Sequence, residues 1–124
     1  MECKDLRVLV VEDEEENRNF VHRILKRRVR EIYLAEDGIE GLKLYEKYRP
    51  DVVITDIVMP NMDGIEMVSH IKKNRDDIPP VIIATAYRGD EYHCDLANEH
   101  VFKPFTADEL IKRVFTLSEC HGLI

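Results

Sequence analysis

The hydrophobic pattern of the chain alternates between short apolar runs and longer amphipathic stretches. Continuous apolar runs of this length are typical of strands that are buried on both faces of a sheet. Five such strands are predicted, within residues 6–11, 32–35, 49–55, 81–85 and 100–102. Between them apolar residues recur at helical spacing, which predicts amphipathic helices. Their buried stripes are Phe20, Val21, Ile24 and Leu25, then Ile39, Leu42, Tyr45 and Tyr48, then Ile65, Val68 and Ile71.

Capping-box patterns predict where two of the helices begin, because an acid or hydroxyl is followed three residues later by Glu. The two pairs are Asp63 with Glu66, and Thr106 with Glu109. The sequence DDIPP (76–80) is predicted to end the third helix. The helix that follows Thr106 has an apolar stripe of Leu110, Ile111, Val114 and Phe115. A fourth helix, around residues 90–97, is predicted to be short because its periodicity is weak.

Strand and helix alternate five times, with no internal repeat and no linker, which predicts one α/β domain over residues 1–124. This alternation favours a parallel sheet that is covered by helices on both faces and joined by right-handed crossovers. In sheets of this kind ligands bind outside the carboxyl ends of the strands. The residues at those ends are therefore the first candidates for a functional site.

Charged and polar residues stand at four of the five predicted strand ends: Glu12, Asp13, Asp56, Thr85 and Lys103. Two carboxylates about 4 Å apart repel each other by roughly 4 kcal/mol at an effective dielectric constant of 20. Lys103 offers one compensating charge, and a hard divalent cation such as Mg²⁺ would offset the remainder. Each acid by itself could simply cap the helix that follows it, but the combination favours a metal site.

This set of residues also suits phosphoryl transfer. A carboxylate can act as the nucleophile toward phosphorus, while a metal ion and a lysine neutralise the phosphoryl oxygens. Asp56 is the best candidate for the nucleophile because it follows the central strand. Glu12 and Asp13 are better placed as metal ligands.

Composition and charge narrow the possible partners. The net charge of −7 disfavours direct nucleic-acid binding by this domain, although HRILKRRVR (22–30) is locally basic. That run is either a solvated helix end or a docking patch for an acidic partner.

No apolar run approaches the ~20 residues of a membrane span, and no signal peptide is recognisable, so a cytoplasmic protein is predicted. The three cysteines have neither disulfide nor zinc-site spacing.

The sequence resembles the receiver domain of bacterial two-component response regulators over essentially its whole length. The resemblance is carried by VLVVEDE (8–14), DVVITDIVMPNMDG (51–64), VIIATA (81–86) and KPF (103–105). It implies a CheY-like, flavodoxin-like sheet with the strand order 2-1-3-4-5 and a cis bond between Lys103 and Pro104.

The resemblance also implies a function and a role for each site residue. Asp56 would accept a phosphoryl group from a sensor histidine kinase or a histidine phosphotransfer protein. Glu12, Asp13, Asp56 and the backbone carbonyl of Val58 would bind Mg²⁺, with Mn²⁺ as a possible substitute. Thr85 and Lys103 would contact the phosphoryl group. The protein would be a signalling switch rather than an enzyme, apart from its own phosphorylation and autodephosphorylation.

Three features depart from the family pattern. His100 stands where a switch aromatic residue is usual, and Glu12 replaces the more common aspartate. The segment between Thr85 and Lys103 is about one helical turn short, so the fourth helix is expected to be stubby or partly irregular. His100 would perform a smaller version of the aromatic movement, or the switch is altered. Apolar Val58 and a shielding Tyr87 lead to the hypothesis of slow autodephosphorylation.

Other functions stay open at this point. An aspartyl phosphatase would need an acid where Val58 stands, and a flavin-binding protein would need a phosphate-cradling loop after the first strand. A receiver-like module that is never phosphorylated is a further alternative. The downstream target is unknown, and the chain is either a complete regulator or the N-terminal part of a longer protein.

Overall fold

The computed structural model of the protein describes residues 3–73 and 79–123. Five strands and four α-helices alternate along these residues, with one 3-10 turn before the last strand. The strands are β1 (Cys3–Val11), β2 (Val29–Ala35), β3 (Val52–Thr55), β4 (Val81–Thr85) and β5 (Glu99–Phe102). The helices are α1 (Glu15–Leu25), α2 (Gly38–Tyr48), α3 (Gly64–Lys73) and α4 (Ala107–Cys120). The predicted stop of α3 at residues 76–80 lies mostly outside the described residues.

The strands form one sheet in the order β2-β1-β3-β4-β5, and every neighbouring pair is parallel. This confirms the predicted fold class and strand order. All residues of β3 and β4 are buried, which explains why their sequences read as continuous apolar runs. Successive residues of β1 point to opposite faces, so Val8 and Val10 join one apolar core while Leu9 and Val11 join the other.

The two cores hold the helices on opposite faces of the sheet. Residues of α1 and α4, including Ile24 and Leu110, belong to the first core. Residues of α2 and α3, including Tyr45 and Met67, belong to the second. The predicted caps are also present, because Asp63 accepts a hydrogen bond from the Glu66 N–H at 2.8 Å and Thr106 accepts one from the Glu109 N–H at 3.1 Å. These contacts fix the starts of α3 and α4 next to the strands that precede them.

The segment around residues 90–97, where a stubby or partly irregular helix was predicted, contains no α-helix in the structure. The structure has a three-residue 3-10 turn, Asp90–Tyr92, and irregular backbone up to β5. A short helix in water depends on an apolar face that packs against the protein, and this polar segment has no such stripe. The segment is held by other contacts, among them the ring of Tyr92, which stacks on Tyr87 with centroids 4.6 Å apart, and Cys94, which is buried in the second core. The fold is therefore five strands with four α-helices over the described residues.

His100 ties this irregular segment to β5. Its Nε2 atom accepts a hydrogen bond from the backbone N–H of Cys94 at 3.1 Å, and its ring stacks on His93 with centroids 4.5 Å apart. Burial, and secondarily the neighbouring His93, lowers the pKa of His100, against the opposing charges of Glu99 and Asp95. The imidazole is thus held in its neutral form, with Nε2 as the acceptor.

This contact predicts a loss of stability in mild acid. The pKa of His100 is lower in the folded than in the unfolded protein, where it is about 6.5. The contribution of His100 to the free energy of unfolding is therefore complete above about pH 6.5 and is lost as the pH falls through the pKa of the folded protein. Thermal unfolding of the wild type and of His100→Gln at pH 8 and pH 5.5 measures it. We expect a smaller decrease in Tm for His100→Gln, because glutamine keeps an acceptor but does not titrate. An equal decrease in both proteins would contradict the assignment.

Candidate functional site

The sheet itself fixes the backbone of the site residues. The N–H of Glu12 donates to Ala35 O at 3.0 Å, and the N–H of Asp56 donates to Val11 O at 3.0 Å. The N–H of Lys103 likewise donates to Thr85 O at 2.9 Å. Each of these residues therefore continues the hydrogen-bonding ladder by about one position beyond its strand. Because parallel strands end at the same edge, the three side chains project into one region.

Three carboxylates meet at this edge, as the sequence predicted. One carboxylate oxygen from each of Glu12, Asp13 and Asp56 lies within 4.8 Å of the other two. Glu12 is 4% exposed and Asp56 is 8% exposed, whereas Asp13 is open to solvent. Two of the three negative charges are therefore largely withdrawn from water.

Lys103 is the cation of the cluster. Its Nζ atom lies 2.9 Å from Asp56 Oδ2 and also contacts Glu12 Oε1. Burial acts to lower the pKa of Lys103, but the hydrogen bonds to Glu12 and Asp56, with the charges of the two carboxylates, outweigh it and raise this pKa. The ammonium is thus held in its charged form between the two buried acids.

One ammonium does not balance the cluster. Burial raises the pKa of Glu12, even though Lys103 and the backbone N–H of Glu14 act in the opposite direction. Three carboxylates and one ammonium leave two negative charges, and all of the acidic donors are oxygen atoms. Both the charge and the donor set suit a hard divalent cation such as Mg²⁺.

The loop after β3 packs tightly against the base of the site. The N–H of Ile57 donates to Asp56 Oδ1 at 2.6 Å, and the N–H of Gly64 donates to Ile57 O at 2.8 Å. A Cβ atom on Gly64 would lie 2.0 Å from Asp56 O, so only glycine allows this approach. Asn61 turns the loop with a φ angle of 69°. The dense Asp-Gly turn thus lies behind Asp56, whose largely buried carboxylate forms part of the wall of a cavity on the other side.

A cavity of about 600 Å³ opens above the carboxylates. Its walls include Glu12, Asp13, Asp56 and Lys103, together with Val58 and Tyr87. The last two side chains are half exposed, at 43% and 45%. Tyr87, stacked on Tyr92, therefore stands at the rim, and Val58 presents an apolar side chain next to Asp56.

Thr85 and His100 lie outside this cluster. Thr85 is fully buried, and its hydroxyl accepts a hydrogen bond from the N–H of Tyr87 at 3.2 Å. The cavity wall at this strand is formed by Ala84 and Ala86. His100 pairs with Ile83 across the sheet, two residues before Thr85, and faces Cys94. The predicted Lys103–Pro104 cis bond is present.

Two supports of the site were not predicted from the sequence. Arg18 Nη1 donates to Glu12 O at 2.9 Å, which anchors the end of β1 to α1. Asp37 caps α2 through the Glu40 N–H at 2.8 Å and accepts from Asn61 Nδ2 at 2.7 Å. Asp37 precedes Glu40 by three residues, the same signal that identified Asp63, so the cap could have been found. No local pattern reveals the contact with Asn61 or that of Arg18.

No helix among the residues that the structure describes is long and apolar enough to cross a membrane.

Comparisons with known proteins all indicate the same protein family. The family model described as the response regulator receiver domain matches residues 8–115. Response regulator MprA from Mycobacterium sp. (strain KMS) is 33% identical over 115 residues, which are 90% of this chain and 50% of that protein. The chain thus spans about half the length of the curated relatives that it matches.

Solved structures agree with this match. The Francisella response regulator 1452 receiver domain is 30% identical, with a TM-score of 0.83 over 94% of this chain and 99% of that chain. Response regulator protein TrrA from Thermotoga maritima, in complex with Mg²⁺-BeF, is 38% identical, with a TM-score of 0.80 over 90% of this chain and 98% of that chain. The chain belongs to the response regulator receiver domain family, the phosphoacceptors of two-component signalling.

Proposed function

We propose that Asp56 is the phosphoacceptor of this domain and that Lys103 and Thr85 contact the bound phosphoryl group. The observation that carries the proposal is the contact between Lys103 Nζ and Asp56 Oδ2 at 2.9 Å, inside a cluster of three carboxylates. Receiver domains take their phosphoryl group from histidine kinases. For this chain the donor is the phosphohistidine of a sensor histidine kinase or of a histidine phosphotransfer protein.

The reaction is an in-line displacement at phosphorus. An oxygen of the Asp56 carboxylate forms the new bond to phosphorus, and the P–N bond of phosphohistidine breaks with its electron pair on the imidazole, which takes a proton from solvent. Lys103 lies beside this carboxylate and donates to the phosphoryl oxygens as they approach. The hydrogen bond from Tyr87 uses a lone pair of the Thr85 hydroxyl and leaves its proton free to donate. Because Thr85 is buried behind the cavity wall, this hydroxyl would have to turn toward the site to reach a phosphoryl oxygen.

Glu12, Asp13, Asp56 and the backbone carbonyl of Val58 would hold Mg²⁺ in this proposal. Oxygen donors and two uncompensated negative charges fit this ion, and Mn²⁺ accepts the same donors. When bound, the ion neutralises charge that builds on the phosphoryl oxygens. The Thermotoga maritima relative in complex with Mg²⁺-BeF supports the assignment. Glu12 fills the cluster with a longer side chain than the usual aspartate.

Phosphorylation would act as the signal by adding about −1.5 to −2 charges at Asp56. We assign the response to Thr85 and His100, which lie on adjacent strands next to the irregular segment 93–98. Since the imidazole of His100 is bonded to the Cys94 N–H and stacked on His93, its movement would release that segment. The switch in this chain is therefore a loop held by histidine rather than a rotating aromatic ring.

The remaining assignments follow from this function. We place residues 1–124 in one receiver domain that acts in the cytoplasm, where its kinase would meet it. Its only catalysis is its own phosphorylation and autodephosphorylation, and its target is an output domain or a separate protein. The net charge of −7 disfavours nucleic acid as a direct ligand. Val58 puts an apolar side chain where an aspartyl phosphatase needs an acid.

Labelling with acetyl phosphate and Mg²⁺ tests the central assignment. We expect the wild type to gain the mass of one phosphoryl group, because Asp56 is reachable from the cavity. Asp56→Asn should gain none, and Asp108→Asn, which changes an exposed aspartate at the start of α4, should behave as the wild type. Equal labelling of Asp56→Asn, or none of the wild type, would refute the assignment.

Removal of the Glu12 charge separates metal binding from stability. Calorimetry should show Mg²⁺ binding to Glu12→Gln at least ~10-fold weaker, because a unit charge at contact distance is worth more than the ~1.4 kcal/mol of that factor. In EDTA the variant should unfold at the same or a higher Tm than the wild type, because a buried carboxylate with incomplete compensation has been removed. Unchanged Mg²⁺ affinity would exclude Glu12 as a ligand.

The phosphoryl group is predicted to be lost slowly. Val58 has no polar group that could orient an attacking water molecule, and Tyr87 stands at the cavity rim. Loss of label from the purified phosphoprotein measures the rate, and Val58→Asn should accelerate it by supplying an amide. A wild-type half-life of seconds would contradict this prediction.

A further inference from the structure

The loop after β3 is attached to the start of α2 at its apex. Asn61 Nδ2 donates to Asp37 Oδ2 at 2.7 Å, and the N–H of Gly38 donates to Met62 O at 3.0 Å. The two segments are in close contact here, since a Cβ atom on Gly38 would lie 2.4 Å from Met62 O. A side-chain bond and a backbone bond therefore join two loops that are far apart in sequence.

The same loop is closed at its base by the hydrogen bond from the Gly64 N–H to Ile57 O. A further bond of 2.7 Å, from the Met62 N–H to Pro60 O, tightens the apex around the left-handed Asn61. The segment 58–60 thus lies between two fixed points. It contains Val58, whose carbonyl is the backbone ligand assigned above.

Asp37 makes the apex attachment with one carboxylate that serves two donors. Its Oδ1 atom accepts from the Glu40 N–H at the start of α2, while its Oδ2 atom accepts from Asn61. The backbone bond from Glu40, followed by the bond from Asn61, lowers the pKa of Asp37. The carboxylate is therefore a charged acceptor, which makes both bonds stronger than neutral ones.

We propose that Asp37 is a positioning residue of the phosphoacceptor site, which acts by anchoring Asn61 and thereby holding the 58–60 segment, and the Val58 carbonyl, ready for a divalent cation. The inference rests on the proposed function. Asp37 itself is not a ligand. It reduces the conformational freedom that the loop would otherwise lose when the cation binds, and such preorganisation increases affinity.

Three variants separate the anchor from the helix cap. Asp37→Asn keeps an oxygen acceptor for the Glu40 N–H but turns an amide toward the amide of Asn61. Asn61→Gly keeps a residue that favours a positive φ angle and removes the bond. The exchange D37N/N61D restores one donor and one acceptor with reversed roles. The charge control is Glu40→Gln, which removes a negative charge from the same helix end and retains an acceptor for the Glu36 N–H.

The primary measurement is the Mg²⁺ dissociation constant of the unphosphorylated protein by calorimetry. We expect Asp37→Asn and Asn61→Gly each to weaken binding about threefold to tenfold, the range for one charge-assisted bond at an exposed position. The exchange variant should bind Mg²⁺ with a dissociation constant within about twofold of the wild-type value. Glu40→Gln should also stay within about twofold of the wild type. Amide hydrogen exchange of residues 57–63 should accelerate in the two single variants and return to normal in the exchange.

Two results would overturn the inference: unchanged Mg²⁺ affinity in Asp37→Asn, or a loss in Glu40→Gln as large as that in Asp37→Asn. A failure of the proposed function is distinguishable from either. If acetyl phosphate does not label the wild type while Mg²⁺ binding follows the expected pattern, the anchor stands and the phosphoacceptor assignment fails. If the wild type is labelled and Asp37→Asn binds Mg²⁺ normally, the anchor alone fails.

Discussion

The contact of the Lys103 ammonium with the carboxylates of Glu12 and Asp56 is the interaction on which the site depends. All three groups are largely withdrawn from water. An unpaired charge in such a buried position carries a high desolvation cost. One ammonium shared between two buried acids satisfies the cluster only in part, since burial still raises the pKa of Glu12. The same incomplete compensation that costs folding free energy makes this edge of the sheet suited to a divalent cation.

The backbone of the sheet brings these charged side chains together because it fixes the positions of their Cα atoms. Glu12, Asp56 and Lys103 each donate a backbone N–H to a neighbouring strand, so their Cα atoms are set by the sheet rather than by flexible loops. Gly64 then lets the loop after β3 return within contact of Asp56. The base of the site therefore rests on the sheet, which holds the charged groups in a defined geometry.

At the far edge of the sheet, the segment before β5 has irregular backbone in place of a helix. Residues 93–98 form no helix, and the segment is held by the Tyr87–Tyr92 stack, by Cys94 and by His100. The conformation of this segment therefore depends on contacts with the rest of the protein rather than on a helical hydrogen-bond ladder of its own.

The sequence by itself determined the five strands, the parallel α/β class, the caps at Asp63 and Thr106, and the residues that stand at the strand ends. These features depend on apolar periodicity and on contacts between residues three or four positions apart, which a single sequence displays directly. The strand order and the cis bond came from the family resemblance. The loss of the helix at 90–97, the anchor between Asp37 and Asn61 and the support of Glu12 by Arg18 were decided by the tertiary structure. A marginal helix exists only if its surroundings offer a face to pack against, and residues 24 positions apart meet only after the chain between them has folded.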